Sequence, residues 1–303
     1  MKVVRELETG IAASALGWLG PRRLVASLLR GGTVLIDPIT GRILRRWPGL
    51  SDPARSARSG DSLVMLFPGP SSTPTGGTAA RLALVNARGH LRSVALDRIQ
   101  LAAGFANGVG YMDKAAVAVD PDGGRAYVFA AGAPAAEINL ATMQASYHRV
   151  ELETGAKPKR RVLAQLRRAL WLGRRQVVVF GRNFVADDRA GVASTAAGAT
   201  LVDTATWNSC VVDARAGGAA FGAGRLLVYA SGARPAIGLR AYTPQGGKIV
   251  HLLKSEQVLD VHVAGGRAYV QTGSALRVVD LKARRVLRTI VPPFELVDVI
   301  ENS

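Results

Sequence analysis

Four polar residues in one glycine-bounded stretch carry the first chemical signal: Arg182, Asn183, Asp187 and Asp188, within GRNFVADDRAGVASTAAG, Gly181 to Gly198. Two adjacent carboxylates with an amide and a guanidinium could hold a cation or a polar ligand if a loop gathers them. A loop tip of this composition would equally leave them solvated. A second group is basic. Lys157, Lys159, Arg160 and Arg161, followed by Arg167 and Arg168, could form a patch for an acidic partner.

Other reactive residue types read as structural. His90, His148, His251 and His262 fall far apart, with no metal-ligand spacing between any two. His262 stands out because it sits in an apolar run that reads as an inner strand. Asp120 and Asp122 resemble the opening of a calcium loop, but the distal acidic ligand is missing and a turn is the better reading. The single cysteine, Cys210, excludes a disulfide framework or a cysteine-ligated metal and is expected to be a small buried residue. No catalytic constellation emerges, and no metal or cofactor is expected.

The elements that must position these residues are short strands. VAVDPDGGRAYVF, Val117 to Phe129, alternates apolar residues on either side of an Asp-Pro-Asp-Gly-Gly turn, the pattern of a β-hairpin. Related hairpins begin at Gly17 (GWLGPRRLVAS), Leu170 (LWLGRRQVVVF), Ala219 (AAFGAGRLLVY) and Val261 (VHVAGGRAYVQ), with a weaker copy, SGDSLVMLF, at Ser59. Each is followed by a second hairpin: TVLIDPITGRILRRW from Thr33, LALVNARGHLRSVAL from Leu82, AEINLATMQASYHRV from Ala136, TLVDTATWNSCVVDA from Thr200, LRAYTPQGGKIVHLL from Leu239 and LRVVDLKARRVLRTI from Leu276. In five of the six the turn has Pro, Gly, Asp or Asn in or beside it; LATMQA is the exception. The unit is thus a four-stranded meander, A-B-C-D, repeated about six times, with the period of propeller blades. The segment Lys159 to Trp171, with Val162, Leu166 and Leu170 four apart, competes as a helix; the repeat instead reads it as a D strand followed by an A strand, Ala169 to Leu172.

VAVDPDGGRAYVF with its continuation EINLATM resembles the YVTN-type and WD40-like β-propellers of the quinoprotein amine dehydrogenase-like superfamily. The resemblance covers essentially the whole chain and implies an all-β propeller of four-stranded antiparallel blades. The Tyr127-Val128 pair and the glycine turn build a hairpin and imply no activity, and the Gly-His and Trp-Asp pairs of strict WD40 repeats are missing.

One domain, residues 1–303, is expected, with six complete blades and an incomplete seventh. Lys2 to Leu7 aligns with a D strand and Leu296 to Ile300 with an A strand, leaving B and C unaccounted for. A chain starting inside the C–D hairpin of a seventh blade would explain this, as would a six-bladed ring with the terminal strands added at an edge. MKVVRELETG has no apolar stretch of export-signal length, so the sequence as written reads as cytoplasmic, and as extracytoplasmic if upstream residues are missing.

Strand order puts A–B and C–D connections on one face and B–C and D–A connections on the other. The first set is uniformly short. The second includes Pro68 to Thr78, Leu96 to Asp113, Glu153 to Arg161 and Gly181 to Gly198, so the functional face is placed on the B–C/D–A side, toward the first four blades. Trp18 and Trp171 occupy equivalent A-strand positions, which predicts packing between blades.

The net charge is +17. Most of the excess is arginine, spread through every segment as a GC-rich bacterial genome would write it, and this scatter speaks against nucleic acid as the partner. No apolar run is long enough for a membrane helix. A non-catalytic, monomeric propeller binding a protein or other macromolecule, an acidic partner among the candidates, is the first expectation. A lactonase- or quinoprotein-like enzyme and an envelope-associated carbohydrate-binding protein are the alternatives.

Overall fold

A computed structural model of the chain describes residues 13–28, 32–50, 55–67, 78–101, 103–106, 109–122, 124–152, 161–187, 191–233 and 236–291. The terminal strands expected to make a seventh blade lie outside them, as do Pro68 to Gly77. Among the described residues there is no α-helix, only a single 3-10 turn at Gly20–Arg22.

The described residues of Met1–Ala103 and Lys114–His148 form one compact unit. It holds three meanders, each hydrogen-bonded in chain order. The first runs β1 (Ala13–Leu19), β2 (Arg23–Leu28), β3 (Gly32–Ile36) and β4 (Ile43–Trp47). The second runs β5 (Arg55–Ser59), β6 (Ser62–Phe67), β7 (Thr78–Val85) and β8 (Leu91–Leu101). Next in the chain come two short strands paired with each other, β9 (Ala103–Ala106) and β10 (Val109–Met112), and then the third meander: β11 (Ala116–Asp120), β12 (Arg125–Phe129), β13 (Ala135–Asn139) and β14 (Gln144–His148).

Gly104–Asp113 and the described residues from Arg149 onward form a second unit with three further meanders. The fourth comprises β15 (Val162–Gly173), β16 (Gln176–Asp187), β17 (Gly191–Asp203) and β18 (Ser209–Asp213). The fifth comprises β19 (Gly218–Gly222), β20 (Arg225–Tyr229), β21 (Leu239–Tyr242) and β22 (Lys248–Leu252), and the sixth β23 (Val258–Ala264), β24 (Arg267–Thr272), β25 (Leu276–Asp280) and β26 (Arg285–Ile290). All pairings are antiparallel, and these six sheets are the blades of a β-propeller.

Burial within a blade explains the strand sequences. B strands such as SLVMLF and QVVVF are almost wholly buried, because both faces are covered by neighbouring sheets. The outer D strands ILRRW and RVLRTI are almost wholly exposed and carry the arginines that discourage edge pairing. Apolar clusters therefore form between successive blades rather than within one: Leu19, Val25 and Leu35 pack with Leu63, Met65 and Phe67, and Leu172, Val178 and Phe180 pack with Leu226, Val228 and Tyr242.

The C–D turns share one device. In four of them the residue that ends the C strand, or directly follows it, accepts backbone N–H groups two and three residues on: Asp37 from Ile39 and Thr40, Asn139 from Ala141 and Thr142, Asp203 from Ala205 and Thr206, Asp280 from Lys282 and Ala283. Four residues after that acceptor the backbone turns left-handed, at Gly41 (φ 75), Met143 (φ 59), Trp207 (φ 61) and Arg284 (φ 56). LATMQA is therefore no exception: Asn139 supplies the cap, and Met143 adopts the conformation that glycine takes elsewhere. The turn after β11 behaves as expected, with the Asp122 N–H bound to the Asp120 carboxylate at 3.1 Å.

Some of the arginine surplus ties neighbouring blades. Arg23 donates to the Ala87 carbonyl (2.6 Å), and Arg92 donates to the Ala141 and Leu140 carbonyls (2.7 and 2.6 Å), each time reaching the next blade's C–D turn. In the second unit Arg240 on β21 pairs with Asp213 at the end of β18 (2.5 Å), and the Tyr242 hydroxyl donates to the same carboxylate oxygen (3.0 Å).

Three expectations are corrected. Lys159 to Trp171 does not contain a D strand followed by an A strand; from Val162 it is one continuous A strand, because β14 has already closed the third blade. Trp18 is 49% exposed and is not packed between blades. Cys210 is exposed on the outer strand β18, which has no further strand to cover it.

Candidate functional site

Of the four connections expected to be long loops on the B–C/D–A side, Pro68 to Gly77 and Glu153 to Arg160 lie outside the described residues, and the described parts of the other two are largely strand. Gly181 to Gly198 is not a loop but the continuation of β16 and β17 into a hairpin whose register runs from Gly181↔Gly198 to Asp187↔Gly191. β15 follows β16 outward, pairing from Trp171↔Val177 to Val162↔Val185. β18 stops short, pairing only with the segment from Ala199 to Val202. The fourth blade thus ends as a three-stranded extension beyond its four-stranded body. Leu96 to Asp113 likewise contains the rest of β8 and the β9–β10 hairpin. β10 lies against β15, and the Asp113 carboxylate accepts the Gln165 N–H at 2.7 Å.

Two glycines permit this geometry. A Cβ on Gly181 would strike the Leu166 carbonyl, and one on Gly217 would strike the Ala230 carbonyl and come within 3.3 Å of Arg182 Cγ. A bulge at Gly181/Arg182 leaves Ala197 as the extra residue and sets the extension at a new twist.

The extension's outer edge is open. The Ala186 N–H donates to the Arg161 carbonyl (2.9 Å), so Ala186 is turned toward β15. Val192, directly opposite Ala186, therefore turns its own N–H and C=O away from β16. By the two-residue period, Ser194 and Ala196 do the same. The next group along, the Gly198 N–H, is taken by the Ala216 carbonyl (2.9 Å). Among the described residues no strand pairs with Val192 to Ala196 on that side. The Ser194 hydroxyl is buried and has no hydrogen-bond partner among them.

Adjacent residues of the candidate loop are sent to opposite faces. Arg182 shares a face with Leu166, its partner in register, and with Arg168, Phe180 and Phe184. Its Nη1 donates to the Ser231 carbonyl (3.0 Å), and its guanidinium lies 5.6 Å from the Phe184 ring centroid. Burial first, and then the neighbouring Arg168 charge, hold the Arg182 pKa below the ordinary arginine value. Asn183 turns the other way, and its Oδ1 accepts from Arg167 Nη1 at 2.9 Å. Arg167 also donates to Gln165 Oε1 (3.0 Å) and is 4% exposed, so it belongs to the blade interior and to no surface patch. Asp187 ends β16, half-buried. Asp188, Lys157, Lys159 and Arg160 lie outside the described residues. Arg161 is exposed, with its carbonyl on Ala186.

His262 is exposed on β23 opposite Tyr269, away from the extension in sequence and blade. Its neighbour Asp260 accepts the hydroxyl of the buried Tyr229 (2.8 Å). Burial, and then the Asp260 charge, push that phenol far above the ordinary tyrosine value. Residue spacing pointed to neither Arg168 with Arg182 nor Asp260 with Tyr229, because each pair joins different strands. Among the described residues no three His, Cys, Asp or Glu side chains converge, and no helix is long and apolar enough to cross a membrane.

No protein-family model and no curated protein matches the chain. Solved structures do. U3-55K is 13% identical with a TM-score of 0.53, over 96% of this chain and 84% of that one. The WD40 repeats of RRP9 are also 13% identical at a TM-score of 0.53, over 96% and 83%. The dihydro-heme d1 dehydrogenase NirN in complex with DHE is 11% identical at 0.48, over 92% and 66%. At such identities the likeness is one of fold.

Proposed function

We propose that this WD40-like β-propeller is a non-catalytic binding module that engages a protein or other macromolecular partner on its B–C/D–A side, through the extension of the fourth blade. The observation that carries the reading is the open edge of β17. Val192, Ser194 and Ala196 direct three residues' backbone groups outward, on an edge with none of the lysine, proline or charge that usually protects one. An extended segment of a partner can add to such an edge, with main-chain hydrogen bonds giving affinity and alternate side chains giving specificity. The WD40 repeats among the similar structures support the scaffold half of the reading. They say nothing of the partner.

The test replaces residues 183–195 by a tight turn, and separately introduces Ser194→Lys. Both variants should keep the wild-type β-sheet circular dichroism and lose the partner that the intact chain captures from extracts of its own organism. Undiminished capture by both, or a stoichiometric metal with turnover in the purified protein, would overturn the reading.

A further inference from the structure

The face of the fourth blade turned toward the fifth holds two guanidiniums with unspent donors. Arg168 on β15 and Arg182 on β16 are diagonal neighbours on that face, across the pairs Leu166↔Arg182 and Arg168↔Phe180. Neither forms an ion pair among the described residues. Asp260, on β23 of the sixth blade, accepts from the Tyr229 hydroxyl, and among the described residues it forms an ion pair with neither arginine. Arg182 is held in place by the Ser231 carbonyl, by the Phe184 ring and by the close approach of Gly217 and Gly232, yet among the described residues its guanidinium makes one hydrogen bond. Arg168 is exposed and donates no hydrogen bond among the described residues. Arg182 is therefore held in position before any ligand arrives, and the exposed Arg168 sets a like charge beside it on the same face.

We infer that Arg168 and Arg182 form an oxyanion site that receives a carboxylate or phosphate group of the partner. An oxyanion between them would neutralise the repulsion and accept from both forks, the geometry in which arginine binds such groups most strongly. The inference rests on the proposed binding role, since it supplies the chemistry of what the fourth blade meets. Its test is independent of that partner.

Inorganic phosphate and succinate are titrated into the full chain at constant ionic strength, with chloride as the reference, and binding is read by thermal shift and by calorimetry. Phosphate, succinate or both should raise the unfolding midpoint above the chloride control, and whichever binds names the partner's acidic group. Arg168→Gln, on an exposed side chain, should fold, should unfold no lower than wild type without anion, and should bind the effective anion about tenfold more weakly. Arg182→Lys, which keeps the charge and loses the fork, should bind more weakly than wild type. An anion response equal in wild type and Arg168→Gln, or no response beyond chloride, would refute the site. Capture that still depends on the hairpin would then leave the binding role standing; loss of hairpin dependence with the anion response intact would do the reverse.

Discussion

At the scale of single residues, the strongest local constraint is the Asp213 carboxylate between the fourth and fifth blades. Burial works to raise its pKa, but the Arg215 N–H, the Arg240 guanidinium and the Tyr242 hydroxyl outweigh burial and leave it below the ordinary aspartate value. Tyr242, raised to about 12 by burial and then by Asp213, stays a donor at neutral pH. A lowered folded pKa contributes stability that is complete above the unfolded value and is lost as pH falls through the folded one. Asp213→Asn should therefore cost about 3–5 kcal/mol at pH 7, because Arg240 is left buried without its counter-charge. The gap from wild type should narrow below about pH 4. Urea unfolding at pH 7 and pH 3 reads both effects, and a constant gap would show that the carboxylate is not the source. Arg284 offers a prediction of opposite sign. It is exposed and left-handed (φ 56), where glycine stands in the sister turn at Gly41. Arg284→Gly should stabilise by about 0.5–1 kcal/mol in the same assay, the relief of left-handed strain exceeding the entropy that glycine adds to the unfolded chain.

Elements behave according to which strands stop and which continue. The first three strands of the fourth blade outrun the fourth, so the same hairpin that closes the blade also leaves it with an edge. Gly181 is where body becomes extension, and its lack of a side chain lets β16 approach the Leu166 carbonyl. Gly181→Ala should destabilise the chain by about 1–3 kcal/mol through that forced separation, measured by chemical denaturation. Shortening the hairpin beyond Arg182 should cost much less, because residues 191–196 are only half-buried. If the shortened chain unfolds as early as Gly181→Ala, the extension is structural rather than a binding element.

For the whole molecule, the expectation of one domain is a statement about cooperativity. Within each compact unit, blades that share apolar clusters should unfold together. We expect a single calorimetric transition whose van't Hoff and calorimetric enthalpies agree, and two separated transitions would assign the two compact units separate stabilities. The charge of +17 also looks different once the blades are placed. Arg23 and Arg92 hold neighbouring turns, Arg240 neutralises a buried carboxylate, and Arg167 is interior, so part of the surplus is mortar between blades.

The sequence alone determined the strands, the turns and their repetition, because these signals are local. Alternation over five residues, a glycine or asparagine at a left-handed position and an aspartate two residues before its donor all act within one hairpin. It also placed the variable connections on the B–C/D–A side, since strand order alone fixes that. Tertiary structure decided the rest. Whether a glycine- and alanine-rich stretch is loop or strand depended on β15 running alongside it. Whether Arg182 and Asn183 meet the same ligand depended on the pleat, which sends them apart and brings Arg168, from another strand, beside Arg182. The exposure of Trp18 and Cys210 was likewise a matter of what covers a strand, and the covering sheet comes from a distant part of the chain.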